Sequence, residues 1–162
     1  MRNSPLAQRS PLLSVTAEYA LRAVLVLARD ASRPMRADEV AAVIGAPRNY
    51  LAKTLNSLAK SGIVSSTRGP LGGFSLAVEP DRLTVADIAA VFDPSAATRM
   101  CLLRNHLCDP ANPCSAHARW SDVSGSARDA MATTIATLLG VPATSPDLLT
   151  SPSSTNAHVD NT

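Results

Sequence analysis

A chain of 162 residues with 46% hydrophobic content carries enough apolar material for one packed domain with appendages. Its net charge of +2 is too small to argue by itself for a nucleic-acid partner, its longest apolar run (23–28) is too short to cross a bilayer, and its start lacks a continuous apolar stretch of the secretory kind. Three cysteines without an export signal do not read as a disulfide framework, so the expected setting is a reducing cytoplasm, with no membrane association.

Aromatic residues are few (Tyr19, Tyr50, Phe74, Phe92, Trp120) and Ala, Leu and Val abound, which predicts a mainly α protein packed through small aliphatic side chains. Residues 1–12, with Pro5 and Pro11, read as a flexible leader. A first, buried helix is predicted over 16–28, where Ala17, Leu21, Val24, Leu25 and Ala28 recur at helical spacing. A second, over 37–44, is closed by Gly45-Ala46-Pro47, and a third, over 48–61, by Gly62. Two short helices across a tight glycine-containing turn form a helix-turn-helix pattern.

In the third helix Leu51, Leu55 and Leu58 fall on one face, leaving Asn49, Lys53, Asn56 and Lys60 on the other. Strands over 63–67 and 74–78 flank Arg68-Gly69-Pro70-Leu71-Gly72-Gly73, a turn-rich tip, so the order is helix, helix, hairpin, as in a winged helix. Thr84-Val85-Ala86-Asp87 opens a short helix with Val85, Ile88, Ala89 and Phe92 on one face, ended by Asp93-Pro94. The loop over 94–114 holds all three cysteines and has no sustained period. One long helix is predicted over 115–139, capped by Ser115, with Trp120, Val123, Ala127, Ala130, Thr134 and Leu138 as a narrow stripe. So little chain is left to cover it that it reads as an intersubunit helix. The Pro-, Ser- and Thr-rich stretch 140–162 reads as a disordered tail. The fold class is therefore mainly α with a small β wing: a winged helix-turn-helix domain at 13–93, a cysteine-rich loop at 94–114, a dimerisation helix at 115–139.

Charge is unevenly spread. No acidic residue occurs from Val40 to Val78, a stretch that holds Arg48, Lys53, Lys60 and Arg68, whereas nine of the thirteen acids lie at or after Glu79. A helix presenting Arg48, Asn49, Lys53 and Asn56 suits a DNA major groove, because cations meet phosphates or guanine edges and amides bond adenine edges; Arg68 on a narrow hairpin suits the minor groove. The alternative is a set of solvated charges on a helix-turn-helix that packs against protein.

Cys101, Cys108 and Cys114 are separated by six and five residues, with His106 between the first two and His117 in a Cys-x-x-His step after the third. Thiolates are soft ligands, so an iron-sulfur cluster, a Cys3His zinc site and metal-free redox thiols all remain open. The absence of a close Cys-x-x-Cys pair tilts the choice from structural zinc toward a bulkier cluster. No nucleophile-base pair, phosphate loop or carboxylate dyad points to catalysis or to a small-molecule substrate.

The run Gly62-Ile63-Val64-Ser65-Ser66-Thr67-Arg68-Gly69-Pro70-Leu71-Gly72-Gly73-Phe74, with Tyr50-Leu51, Leu55 and Leu58 before it and Thr16-Ala17-Glu18-Tyr19-Ala20-Leu21-Arg22 at the first helix, strongly resembles the Rrf family of bacterial regulators. The resemblance spans 13–139. It implies a homodimeric DNA-binding transcriptional regulator, most often a repressor, that reads a double-stranded operator. Asn49, Tyr50 and Lys53 fall on the family's major-groove positions, and Arg68, beside Gly69, on its minor-groove position. Ala52 stands where some members carry a glutamate that tunes operator choice. The resemblance also implies a 2Fe-2S or 4Fe-4S cluster on Cys101, Cys108 and Cys114, sensing iron-sulfur status, redox or nitric oxide. Its fourth ligand would be His117, as in the biogenesis regulator, or Glu18, as in members that supply a first-helix carboxylate across the dimer. A cluster-free thiol switch on the same scaffold, and a zinc-binding interaction module, are the alternatives.

Overall fold

The computed structural model describes residues 13–94, 101, 103 and 107–140. The leader at 1–12, His106 and the tail beyond 140 lie outside them.

Helix α1 (Val15–Arg29) starts where the Ser14 hydroxyl accepts the Ala17 N–H at 3.2 Å. Ala17, Ala20, Ala23, Val24, Val26 and Leu27 are buried, and Leu21, Leu25 and Ala28 pack half-buried against the same core. The helix is covered on more sides than its predicted stripe, because α2 (Ala37–Ile44), α3 (Arg48–Lys60) and three later elements all lean on it. Between α2 and α3, Gly45 takes φ 67°, the left-handed cap that a β-carbon makes costly, and turns the chain for the helix-turn-helix. Leu51, Leu55 and Leu58 of α3 have no exposed surface, and burial of each contributes about 1.5–3 kcal/mol.

The wing is an antiparallel hairpin of β1 (Val64–Thr67) and β2 (Gly73–Leu76), in the register Val64↔Leu76 to Thr67↔Gly73. Both strands are shorter than predicted. Ile63 is drawn off by the end of α3, its N–H donating to the Leu58 carbonyl at 3.1 Å while its own carbonyl accepts from Ala77 at 3.0 Å. An isolated two-stranded hairpin is marginal in water. Here Phe74 exchanges two hydrogen bonds with Met35, 2.9 and 2.7 Å long, which join the wing to the segment before α2.

Helix α4 (Val85–Ala90) carries the predicted capping box: the Asp87 N–H donates to Thr84 Oγ1 at 3.2 Å, and the Thr84 N–H to Asp87 Oδ2 at 2.9 Å. The expected single helix over 115–139 is instead two, α5 (His117–Met131) and α6 (Ile135–Gly140). Tertiary hydrogen bonds compete with helical ones at the break. The Val85 N–H donates to the Thr133 carbonyl at 3.1 Å, the Ile135 N–H to the Leu83 carbonyl at 2.8 Å, and the Thr134 hydroxyl accepts the Thr137 N–H to restart the helix. Ile135 is thereby sunk into the core with no exposed surface, and α6 returns to α1. Ser115 is not the cap of α5; Ala116 holds that position without a side-chain bond. Helix α5 has no buried residue, and Val123 is 61% exposed.

Truncating Ile135 to Ala should cost about 2–5 kcal/mol, the usual range for a buried isoleucine. Urea unfolding of the full chain measures it; an unchanged midpoint would mean that α6 is not docked.

Candidate nucleic-acid interface and cysteine site

Helix α3 presents Arg48, Asn49, Lys53, Asn56 and Lys60 as exposed residues on the face opposite its three leucines. Pro47 precedes the helix without a side-chain cap, and its first turn carries no acid, so first-turn N–H groups and a positive helix end accompany the cations. Tyr50 is 37% exposed and is held from behind: its hydroxyl bonds Thr16 Oγ1, and its ring meets Tyr19 edge-on at 5.7 Å between centroids. The nearly buried Thr54 returns its hydroxyl to the Tyr50 carbonyl at 3.1 Å.

Arg68 and Gly69 are exposed on the wing, where the Gly72 N–H donates to the Gly69 carbonyl at 2.9 Å and closes the tip. Gly73 is required by crowding, since a β-carbon there would lie 2.6 Å from the Met35 carbonyl oxygen. Beside the tip, Arg33 donates to Glu39 at 2.9 Å, and the Arg36 N–H donates to the same carboxylate at 2.7 Å. The Arg33 hydrogen bond, and then that N–H, hold the Glu39 carboxyl below its ordinary value. Any stabilisation from this contact is therefore present at neutral pH and lost only as pH falls through the lowered folded-state value. The Arg36 guanidinium donates to the Pro70 carbonyl in the wing tip at 2.6 Å.

The cysteine site divides into two pairs. Cys101 Sγ stands 3.8 Å from Cys114 Sγ, and Cys108 Sγ stands 3.2 Å from His117 Nδ1 at the first residue of α5. The first separation is far beyond the roughly 2.05 Å of a disulfide. Among the described residues, no three of the His, Cys, Asp and Glu side chains gather closely enough to hold one metal ion. Glu18, the other candidate ligand, is ion-paired with Arg22 on its own helix.

Residues 13–140 match the Rrf2 family, described as an iron-dependent transcriptional regulator. The chain belongs to this family. An Aquifex aeolicus protein named as an HTH-type transcriptional regulator is 40% identical over 133 residues, covering 80% of this chain and 92% of that one. The HTH-type transcriptional regulator IscR of Aliivibrio salmonicida is 30% identical over 113 residues, covering 69% of this chain and 67% of its own. The structure of CymR, the global cysteine regulator of B. subtilis, superposes with a TM-score of 0.67 over 78% of this chain and 95% of that one, at 24% identity, which speaks for the fold. The winged helix is thus the Rrf2 fold, and its named relatives are transcriptional regulators, not enzymes. No helix among the described residues is long and apolar enough to cross a membrane.

Sequence reasoning missed Arg33 and Arg36. Asp38 and Glu39 lie between them and the acid-free stretch that begins at Val40, so both arginines fall outside it. The signal was the residue type at the start of α2: Arg36 occupies an N-cap where Ser, Thr, Asp or Asn is favoured. For the wing itself, Gly73→Ala should cost about 1–3 kcal/mol by overpacking. Amide hydrogen exchange should show the Phe74 N–H losing protection while those of α3 keep theirs; a protected Phe74 would show that the wing root tolerates the methyl group.

Proposed function

We propose that this Rrf2-family regulator binds operator DNA as a homodimer, with α3 in the major groove and Arg68 in the minor groove, and that a [2Fe-2S] cluster on the cysteine loop sets its affinity. The DNA half is supported by an exposed, acid-free helix face that places Arg48, Asn49, Lys53 and Asn56 beside an exposed Arg68 and Gly69. Tyr50 would contribute from the same face while anchored on α1. The dimer half is supported by α5, which has no fully buried residue within its own chain and leaves Val123 exposed.

The observation that carries the sensor half is the two-by-two grouping of its donors. Two thiolates, each about 2.3 Å from one tetrahedral metal, stand about 3.8 Å apart, which is the Cys101–Cys114 separation. Cys108 and His117 form the second pair. Cys101, Cys108, Cys114 and His117 would hold the cluster, and their grouping as two pairs suits a binuclear cluster better than a single zinc, which needs its donors around one point. They favour His117 over Glu18 as fourth ligand. When bound, the cluster supplies a centre sensitive to oxidation, nitric oxide or iron supply. This chain's residues carry its state outward. Asp93, just before the loop, accepts the Ser14 N–H at 3.3 Å at the start of α1, and Thr16 and Tyr19 of that helix hold Tyr50 on α3. A small shift there would alter the spacing of the two recognition helices, to which half-site binding is sensitive.

A second reading, a metal-free thiol switch, rests on the contact of Cys108 Sγ with His117 Nδ1, a thiol–imidazole pairing that needs no metal. Anaerobic isolation with iron and sulfide counting separates the two: about two of each per chain are expected for the binuclear cluster. Iron-free, colourless protein moves the reading to thiols. Independently, Arg68→Ala should weaken operator binding by about 1–3 kcal/mol, and unchanged binding in a gel-shift titration would remove Arg68 from the interface.

A further inference from the structure

We infer that Arg36 is a positioning residue for the wing: it holds the tip in the orientation in which Arg68 meets DNA. This rests on the reading of Arg68 given above. The wing tip contributes few contacts of its own, with residues 65–71 exposed. Its root is fixed by the Met35–Phe74 pair, but that pair lies at the Gly73 end of β2 and takes in none of the loop residues 68–72. The one bond from the helical body that reaches the loop is the Arg36 guanidinium to the Pro70 carbonyl, 2.6 Å, among the described residues. Pro70 has no N–H and a fixed φ, so it cannot be restrained from its nitrogen side, and its carbonyl is the natural handle.

The backbone of Arg36 is restrained at the same time. Its N–H donates to Glu39 Oε2, and Glu39 is itself clasped by Arg33, so the stem that carries the guanidinium leaves from a fixed point. An arginine side chain cannot accept the N3 backbone N–H of α2 as a conventional cap would. The N-cap place therefore forgoes part of its capping in exchange for a reach of six side-chain bonds to the wing. The guanidinium is exposed, so the rival role is a direct phosphate contact, and the test must separate the two.

The probe is the duplex that the wild-type full chain enriches from a random-sequence pool, titrated over a range of salt. Arg36→Ala, Arg68→Ala and the double variant are compared, with Arg36→Met as a partner variant that keeps the aliphatic stem and removes the donors; circular dichroism checks that each is folded. A positioning role predicts that Arg36→Ala weakens binding severalfold, that it adds little once Arg68 is already Ala, and that the salt slope in the Arg68→Ala background is not lowered further. Additive losses, with the slope reduced by about one phosphate contact, would make Arg36 a phosphate ligand and overturn the inference. Wild-type affinity in both Arg36 variants would also overturn it. If Arg68→Ala itself binds like wild type, the failure lies in the wing reading on which the inference stands.

Discussion

Everything in this domain leans on the small residues of α1. Ala20 and Ala23 have no exposed surface, and their short side chains let α2, α3, α4 and α6 approach one helix closely. Close packing at near-crystalline density is felt at the level of a methyl group, so a helix faced with alanines has little tolerance for enlargement. The same helix also carries Thr16 and Tyr19, which reach α3 at Tyr50. Core packing and the tie to α3 thus share one element. A shift of α1 would be felt at α3 because the contact is a packed ring and a hydrogen bond.

Around that helix the protein sets two exposed features on buried anchors. The polar face of α3 is displayed because its opposite face, Leu51, Leu55 and Leu58, is wholly buried. The wing is displayed because Phe74 is paired with Met35 and Pro70 is held by Arg36. In both cases the exposed surface is polar while its orientation is set by contacts behind it, an arrangement that would limit the entropy lost on binding a partner.

The cysteine loop is built on a different principle. Among its described residues Leu103 and Leu107 are exposed, and its thiols and His117 meet in pairs, with α5 as the support for one of them.

The sequence alone determined the local elements. Leucine spacing located α3 and its inward face, Gly45 and Thr84-x-x-Asp87 marked a turn and a cap, and the Arg68–Gly73 run marked the wing. These signals are legible because helix periodicity, capping and glycine-dependent turns act between residues a few positions apart. Only the tertiary structure decided the break at Thr133 and Thr134, where bonds from Leu83 and Val85 outcompete helix continuity over some fifty residues of separation. It alone showed the division of three cysteines and His117 into two pairs, and the reach of Arg36 to Pro70. Those contacts join residues distant in the chain, and no period in the sequence records which side chains the fold will bring together.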